Sequence, residues 1–302
     1  MNDWKVPIKA AIIGAVTATA FGLAVFFLLT TWHSGMGSAL FLLTPVVAGF
    51  SIALIAEGQN SAAAAAILSV AATLGMLIAF GREGGLCALL ALPILGVGLA
   101  FGVVLGLLVR SLLFPRTGNH TTTMGALLLI GPMLIFATNR MERPRLDTPR
   151  IEVVETSVKV PDSPERVWSR ILTVDNVVAS KPFLMHIGLP IPERCSLAGR
   201  GVGAKRTCYF NNGYIAETIT AWNPPYYMGL NIDRTHMAGR HWLGFEKAAY
   251  RLQADGNSTI LTRTTTVSSR LLPVWYWRPF ERLGVNSEHR YILQDVVLKA
   301  AR

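Results

Sequence analysis

The 302-residue chain carries 28 Lys and Arg against 18 Asp and Glu, a net charge of +10, and 51% of its residues are hydrophobic. The charge is unevenly placed: residues 1–139 hold five of the basic and three of the acidic side chains, and the remainder holds 23 and 15. That excludes a uniform soluble globule and reads as a nearly uncharged half joined to a basic soluble half.

Five apolar stretches fill the first half: Pro7 to Thr30, Ser38 to Ala56, Ser61 to Phe80, Leu86 to Val109 and Thr122 to Thr138. Each approaches the ~20 residues a helix needs to cross ~30 Å of hydrocarbon, so five spans are expected over residues 1–138. Lys5 and Lys9 flank the start of the first stretch and Ala18-Thr19-Ala20 resembles a signal cleavage site, but the apolar run continues to Leu29. It therefore reads as an anchor. Apart from Lys9 at the start of the first, no Asp, Glu, Lys or Arg lies inside a stretch, whereas transporters and pumps place ionisable groups at membrane depth. The bundle reads as a scaffold. Gly98, Gly102 and Gly106, and Gly14, Ala18 and Gly22, put small residues on one helical face, a pattern for close packing within the chain before dimerisation. Pro45, Pro93 and Pro132 fall inside spans as kinks.

The chain reads as an integral protein of a bacterial-type cytoplasmic membrane. With the N-terminus inside, Lys5, Lys9, Arg110 and Arg116 lie inside, and Arg82, Arg140, Arg143, Arg145 and Arg150 outside. The positive-inside count does not decide. The Arg140–Arg150 cluster favours a cytoplasmic soluble domain, and an odd number of spans favours the opposite.

Residues 139–150, "NRMERPRLDTPR", read as a stiff exposed connector, and residues 151–302 as a folded domain. "VETSVKV" alternates Val154, Thr156, Val158 and Val160 with polar residues, a half-buried strand. In "PDSPERVWSRIL", Asp162 or Ser163 caps a helix, Pro164 suits its first turn, and Val167, Trp168, Ile171 and Leu172 form its apolar stripe. Strands follow at Cys195 to Leu197, Ala204 to Asn211, Tyr214 to Trp222, Tyr226 to Asp233, His241 to Leu252 and Thr259 to Val267, with turn residues between them. A closing helix is expected over Pro279 to Ala301, where Leu283, Ile292, Leu293, Val296 and Val297 recur at helical spacing. The fold class is a membrane helix bundle followed by an α+β domain of about seven strands.

"VKVPDSPERVWSRI", "GVGAKRTCYFNNGYIAETITAWNPP", "GNSTILTRTTTV" and "PVWYWRPF…HRYILQDVVLKAA" resemble the START-like superfamily of helix-grip proteins, also called SRPBCC. Its members include polyketide cyclase/dehydrase-like and lipid-transfer domains. The resemblance covers Val153 to Ala301. It implies a curved antiparallel sheet around a long C-terminal helix, with an apolar ligand cavity between them, and no shared catalytic set.

Turn residues fix the hairpin registers. A two-residue turn at Asn212-Gly213 would place Asn211 opposite Tyr214 and Cys208 opposite Glu217. Arg206, Cys208, Phe210, Ile215, Glu217 and Ile219 then share the inner face. A loop at Asp255–Ser258 pairs Leu252 with Leu261, Tyr250 with Arg263 and Glu246 with Val267, also facing inward. The cavity candidates are Arg206, Phe210, Glu217, Glu246, Tyr250 and Arg263. They read as a polar patch for a ligand head group or as a self-satisfied ion network, with Arg206 meeting Glu217 on its diagonal.

In "CSLAGRGVGAKRTCYF", G-x-G-x-G precedes a strand rather than a helix, so phosphate-loop fingerprints are excluded and a hairpin reversal remains. Symmetry about Gly201-Val202 puts Cys195 across from Cys208, within disulfide reach. His236 and His241 lack partners at ligand spacing, and His186 and His289 read as surface or packing residues, so no metal and no cofactor are implied. Trp275, Tyr276 and Trp277 suit a membrane interface, a cavity portal or ring packing. Basic residues are scattered without a nucleic-acid motif, so anionic membrane lipid is the expected electrostatic partner. Three functions remain: binding of a lipid or other apolar small molecule near the membrane, a cyclase-like enzyme using Glu217, Glu246 or Tyr250, and a structural module with a filled interior.

Overall fold

The computed structural model describes residues 8–31, 35–56, 58–113, 121–175, 177–237 and 242–301, with backbone only for 113 and 121–129. Two compact units divide the chain, the first formed by the helices up to Thr148 and the second mainly by Pro149–Ser269 and Val274 onward.

The first unit contains α1 (Ile8–Thr31), a π-helical turn (Ala39–Leu43) running into α2 (Thr44–Ile55), α3 (Gln59–Ala79), α4 (Gly85–Leu113) and α5 (Thr121–Asp147). Among the described residues three helices are long and apolar enough to cross a membrane: Ile8–Thr31, Gln59–Ala79 and Gly85–Leu112. The expected second span is a shorter apolar helix, Ala39–Ile55. The expected fifth continues in α5 through the supposed connector to Asp147, with Pro144 inside the helix. Pro45 sits in the first turn of α2, where a missing N–H costs nothing.

Close packing explains the glycine pattern. A Cβ on Gly102 would stand 2.0 Å from the Val46 carbonyl oxygen, and one on Gly49 would stand 2.2 Å from that of Leu99, so α2 and α4 touch backbone to backbone. Gly14 and Gly22 face Ala65 and Thr73 of α3. The small-residue faces are spent within the chain. Arg110 closes the C-terminal end of α2 by donating to the carbonyls of Ala53 and Ala56, and Glu142 of α5 accepts the backbone N–H groups of Ser38 and Ala39 at 3.0 and 3.1 Å. Both satisfy helix-end groups that have no intrahelical partner.

The second unit contains β1 (Arg150–Val160), α6 (Pro164–Leu172), a single turn α7 (Phe183–His186), β2 (Pro192–Ala198), β3 (Lys205–Phe210), β4 (Gly213–Asn223), β5 (Tyr227–Met237), β6 (Leu243–Asp255), β7 (Ser258–Ser269) and α8 (Val274–Ala300). The sheet is antiparallel with order β1-β7-β6-β5-β4-β3-β2. Strands two to seven form a meander, and β1 closes the far edge against β7. This is a helix-grip arrangement, with α8 packed on β1 and β7. Glu152 fastens the start of α8 to β1 by accepting from Arg278 at 3.0 Å and from Arg282. Burial would raise the Glu152 pKa, but these two arginines outweigh it and hold the carboxyl low.

Helix α6 forms where its stripe requires: Val167, Trp168 and Ile171 are buried. Asp162 anchors its start, accepting the Ser163 N–H at 2.9 Å and pairing with Arg170 at 2.6 Å. Helix α8 starts at Val274, earlier than the expected Pro279, and carries that proline inside the helix.

Two registers depart from expectation. In the β3–β4 hairpin Phe210 pairs with Gly213 and Arg206 with Glu217, so Asn211-Asn212 form the turn rather than Asn212-Gly213. Gly213 is needed inside the ladder, since a Cβ there would stand 1.8 Å from the His236 carbonyl oxygen. The slip is two residues, so every side chain keeps its face. In β6–β7 the expected pairs Leu252–Leu261 and Tyr250–Arg263 form, but a bulge between Phe245 and Lys247 shifts the ladder. The bulge carries Glu246 out of the interior.

Candidate functional site

The inner face of the sheet brings four of the six cavity candidates together. Arg206 of β3 lies directly opposite Glu217 of β4, and its Nη1 donates to the Glu217 Oε2 at 2.8 Å. Both side chains are nearly sealed, with 3% and 6% of their surface exposed. The direct pairing replaces the expected diagonal. Tyr250 of β6 is buried. The Arg206 guanidinium carbon lies 5.7 Å from its ring centre, and that of Arg263 lies 5.5 Å away. In a flat sheet β3 and β6 would be ~14 Å apart. An arginine on one reaching the ring of the other requires curvature and an inward side chain.

Arg263 of β7 lies opposite Tyr250 of β6 and pairs with Glu288 of α8 at 3.0 Å. This pair is more open, with 14% and 17% of the side chains exposed. Burial opposes both arginine charges, but the carboxylates of Glu217 and Glu288 outweigh it and keep both guanidinium pKa values above the usual one. In each arginine the Nε–H is buried without a hydrogen-bond partner.

Beside Arg263, α8 inserts His289, which is fully buried. Its Nδ1 lies 3.0 Å from the Thr156 hydroxyl, its Nε2 2.7 Å from the Thr265 hydroxyl, and Thr156 donates to Asn286 Oδ1 at 2.8 Å. With the Thr156 proton given to Asn286, Nδ1 carries the ring proton and Nε2 accepts from Thr265. Burial first, and then the Arg263 charge, push the His289 pKa down to about 2. The ring is a neutral bridge between sheet and helix.

Sequence reasoning missed Glu288 and took His289 for a packing residue without partners. A signal existed: Val285, His289, Ile292 and Val296 fall on one helical face, and all four are buried. A histidine within such a stripe must find partners in the sheet.

The other candidates separate from this layer. Glu246 is exposed and accepts from Ser268 at 2.5 Å, correcting its inward placement. Phe210 packs instead with a second apolar cluster that includes Val174, Met185, Tyr291 and the two cysteines. Cys195 and Cys208 pair as expected and are joined by a disulfide, with Cα atoms 4.0 Å apart. The backbone N–H and carbonyl of Cys195 bond to Val174, so the cysteines occupy the narrow, non-hydrogen-bonded type of strand pair. The Cys208 sulfur lies 3.9 Å from the Glu217 Oε2. A third cluster, with Val167, Trp168, Ile171, Met228, Leu230, Leu293 and Val296, fills the interior beside α6.

Trp277 is buried and Trp275 is 70% exposed, so the aromatic triad is split. Tyr276 makes edge contacts with both and with Phe280. His236 stacks on Tyr214 at 5.5 Å, and His241 lies outside the described residues. Among the described residues no three His, Cys, Asp or Glu side chains gather as a metal site.

No family model matches the chain, and no curated protein matches it. Solved structures do. A protein of Nitrosospira multiformis is 17% identical, covering 49% of this chain and 95% of its own, with a TM-score of 0.34. A protein of Thermus thermophilus is 12% identical, over 50% of this chain and 97% of its own, with a TM-score of 0.36. Norcoclaurine synthase of Thalictrum flavum, solved with dopamine and hydroxybenzaldehyde, is 11% identical over 52% and 91%, with a TM-score of 0.36.

Proposed function

We propose that the chain is a membrane-anchored binding protein whose helix-grip domain takes up a lipid or another apolar small molecule at the open end of its interior polar layer. The supporting observation is the inward Arg263–Glu288 pair, which is partly accessible although it stands among buried groups. Interior charges of this kind are tolerated only when partnered, and they orient whatever enters beside them. Three helices of membrane-spanning length and composition support the anchor.

Acid–base catalysis has less support. Glu217 is tied to Arg206, Glu246 lies outside the interior, and His289 is held neutral. The apolar cluster beside α6 supports a filled structural module instead. Mass spectrometry of the full chain extracted with native lipid separates these readings. A copurified small molecule that is lost in Arg263→Met is expected. No bound species, with an experimental cavity below about 100 Å³, would leave only the structural module.

The soluble domain belongs on an oxidising face of the membrane in this reading, supported by the buried Cys195–Cys208 bond. The Arg140–Arg150 cluster favours the other side. Thiol alkylation of native material followed by intact mass decides: two free thiols at these positions return the domain to the cytoplasm.

A further inference from the structure

The charges of the interior polar layer cancel. Arg206 is matched by Glu217 and Arg263 by Glu288, at 2.8 and 3.0 Å. His289 has both ring nitrogens engaged by threonine hydroxyls and adds no charge. What remains unused is the Nε–H of each arginine, both buried without a partner. The two guanidinium groups lie 5.7 and 5.5 Å from the same Tyr250 ring. The layer therefore offers hydrogen-bond donors without a net positive charge.

An incoming carboxylate or phosphate would add an unbalanced negative charge to a region that already holds two carboxylates, at a desolvation cost no free cation offsets. A carbonyl or ether oxygen could accept an arginine Nε–H and leave the balance intact, and a buried donor that gains its missing acceptor recovers the penalty of standing unpaired. Resting on the binding function proposed above, we infer that the site selects a neutral apolar molecule bearing an acceptor oxygen, such as a ketone or ester, over an anionic amphiphile. Arg263 is the selecting residue, because its ion pair is the accessible one.

Matched probes test this on the full-length chain. 2-Undecanone and decanoate at pH 8 have similar apolar tails and differ in head-group charge. Native mass spectrometry of the detergent-solubilised protein reads the fraction bound for each. The ketone is expected to bind at least about tenfold more tightly. Glu288→Gln keeps an oxygen facing Arg263 while leaving one guanidinium charge unbalanced, and should move the preference towards decanoate by a similar factor. Decanoate binding the unaltered protein as tightly as the ketone overturns the neutral-ligand inference and leaves the binding function standing. A ketone preference unchanged in Glu288→Gln overturns the assignment to Arg263. Failure of both probes, with no copurified small molecule, overturns the binding function itself.

Discussion

The two interior ion pairs share a composition and differ in setting. Arg206–Glu217 joins adjacent strands, lies 3.9 Å from the disulfide sulfur of Cys208, and is almost sealed. Arg263–Glu288 joins the sheet to α8 beside His289 and keeps about a sixth of its surface open. A sealed pair serves the fold alone, whereas an open one is also reached by solvent. One fold thus seals this chemistry at one end and leaves it partly open at the other.

Removing Arg206 should have the largest effect. Arg206→Met leaves the Glu217 carboxylate buried and unpaired, at a cost of about 3–5 kcal/mol in chemical denaturation of the full chain. Reducing the disulfide should follow. It closes a loop of sequence separation 13, and losing that constraint costs about 3 kcal/mol, read as a lower unfolding midpoint in dithiothreitol.

At the open end the expected changes are smaller. His289 has a folded pKa of about 2 against an ordinary value of 6.5. A depressed pKa means the unfolded chain takes up the proton first, so its stabilisation is complete above pH ~6.5 and is lost as pH falls towards 2. Between pH 7 and pH 5 about 2 kcal/mol should disappear, and His289→Gln should flatten that slope. Arg263→Met should cost about 1–2 kcal/mol, since water reaches the abandoned Glu288. Equal losses in Arg206→Met and Arg263→Met would erase the distinction between the two ends.

Much of this was legible from the residues because strand parity is robust. The two-residue slip at Asn211-Asn212 left Arg206 and Glu217 on the inner face, as a one-residue slip would not. The bulge at Glu246 was not legible: one extra residue reverses a face, and nothing local in "LGFEKAAY" announces it. Partners across long separations were equally hidden. Periodicity assigns Val285 and Ile292 to a buried stripe, but only the packing of α8 on β1 and β7 says what His289 and Glu288 meet. The helical unit was legible in its apolar runs, and its glycines foretold close approach without saying which helix would approach.

The position of β1 carries one more consequence. Its partners, from Thr259 to Ser269, come on the order of a hundred residues later in the chain. During synthesis the β2–β7 meander can assemble by local pairing, while the first strand, already next to α5, waits for the last. Until they meet, β7 presents a bare hydrogen-bonding edge, the feature through which nascent sheets recruit the wrong neighbour. The domain is most exposed to mispairing with a second nascent copy at that final step.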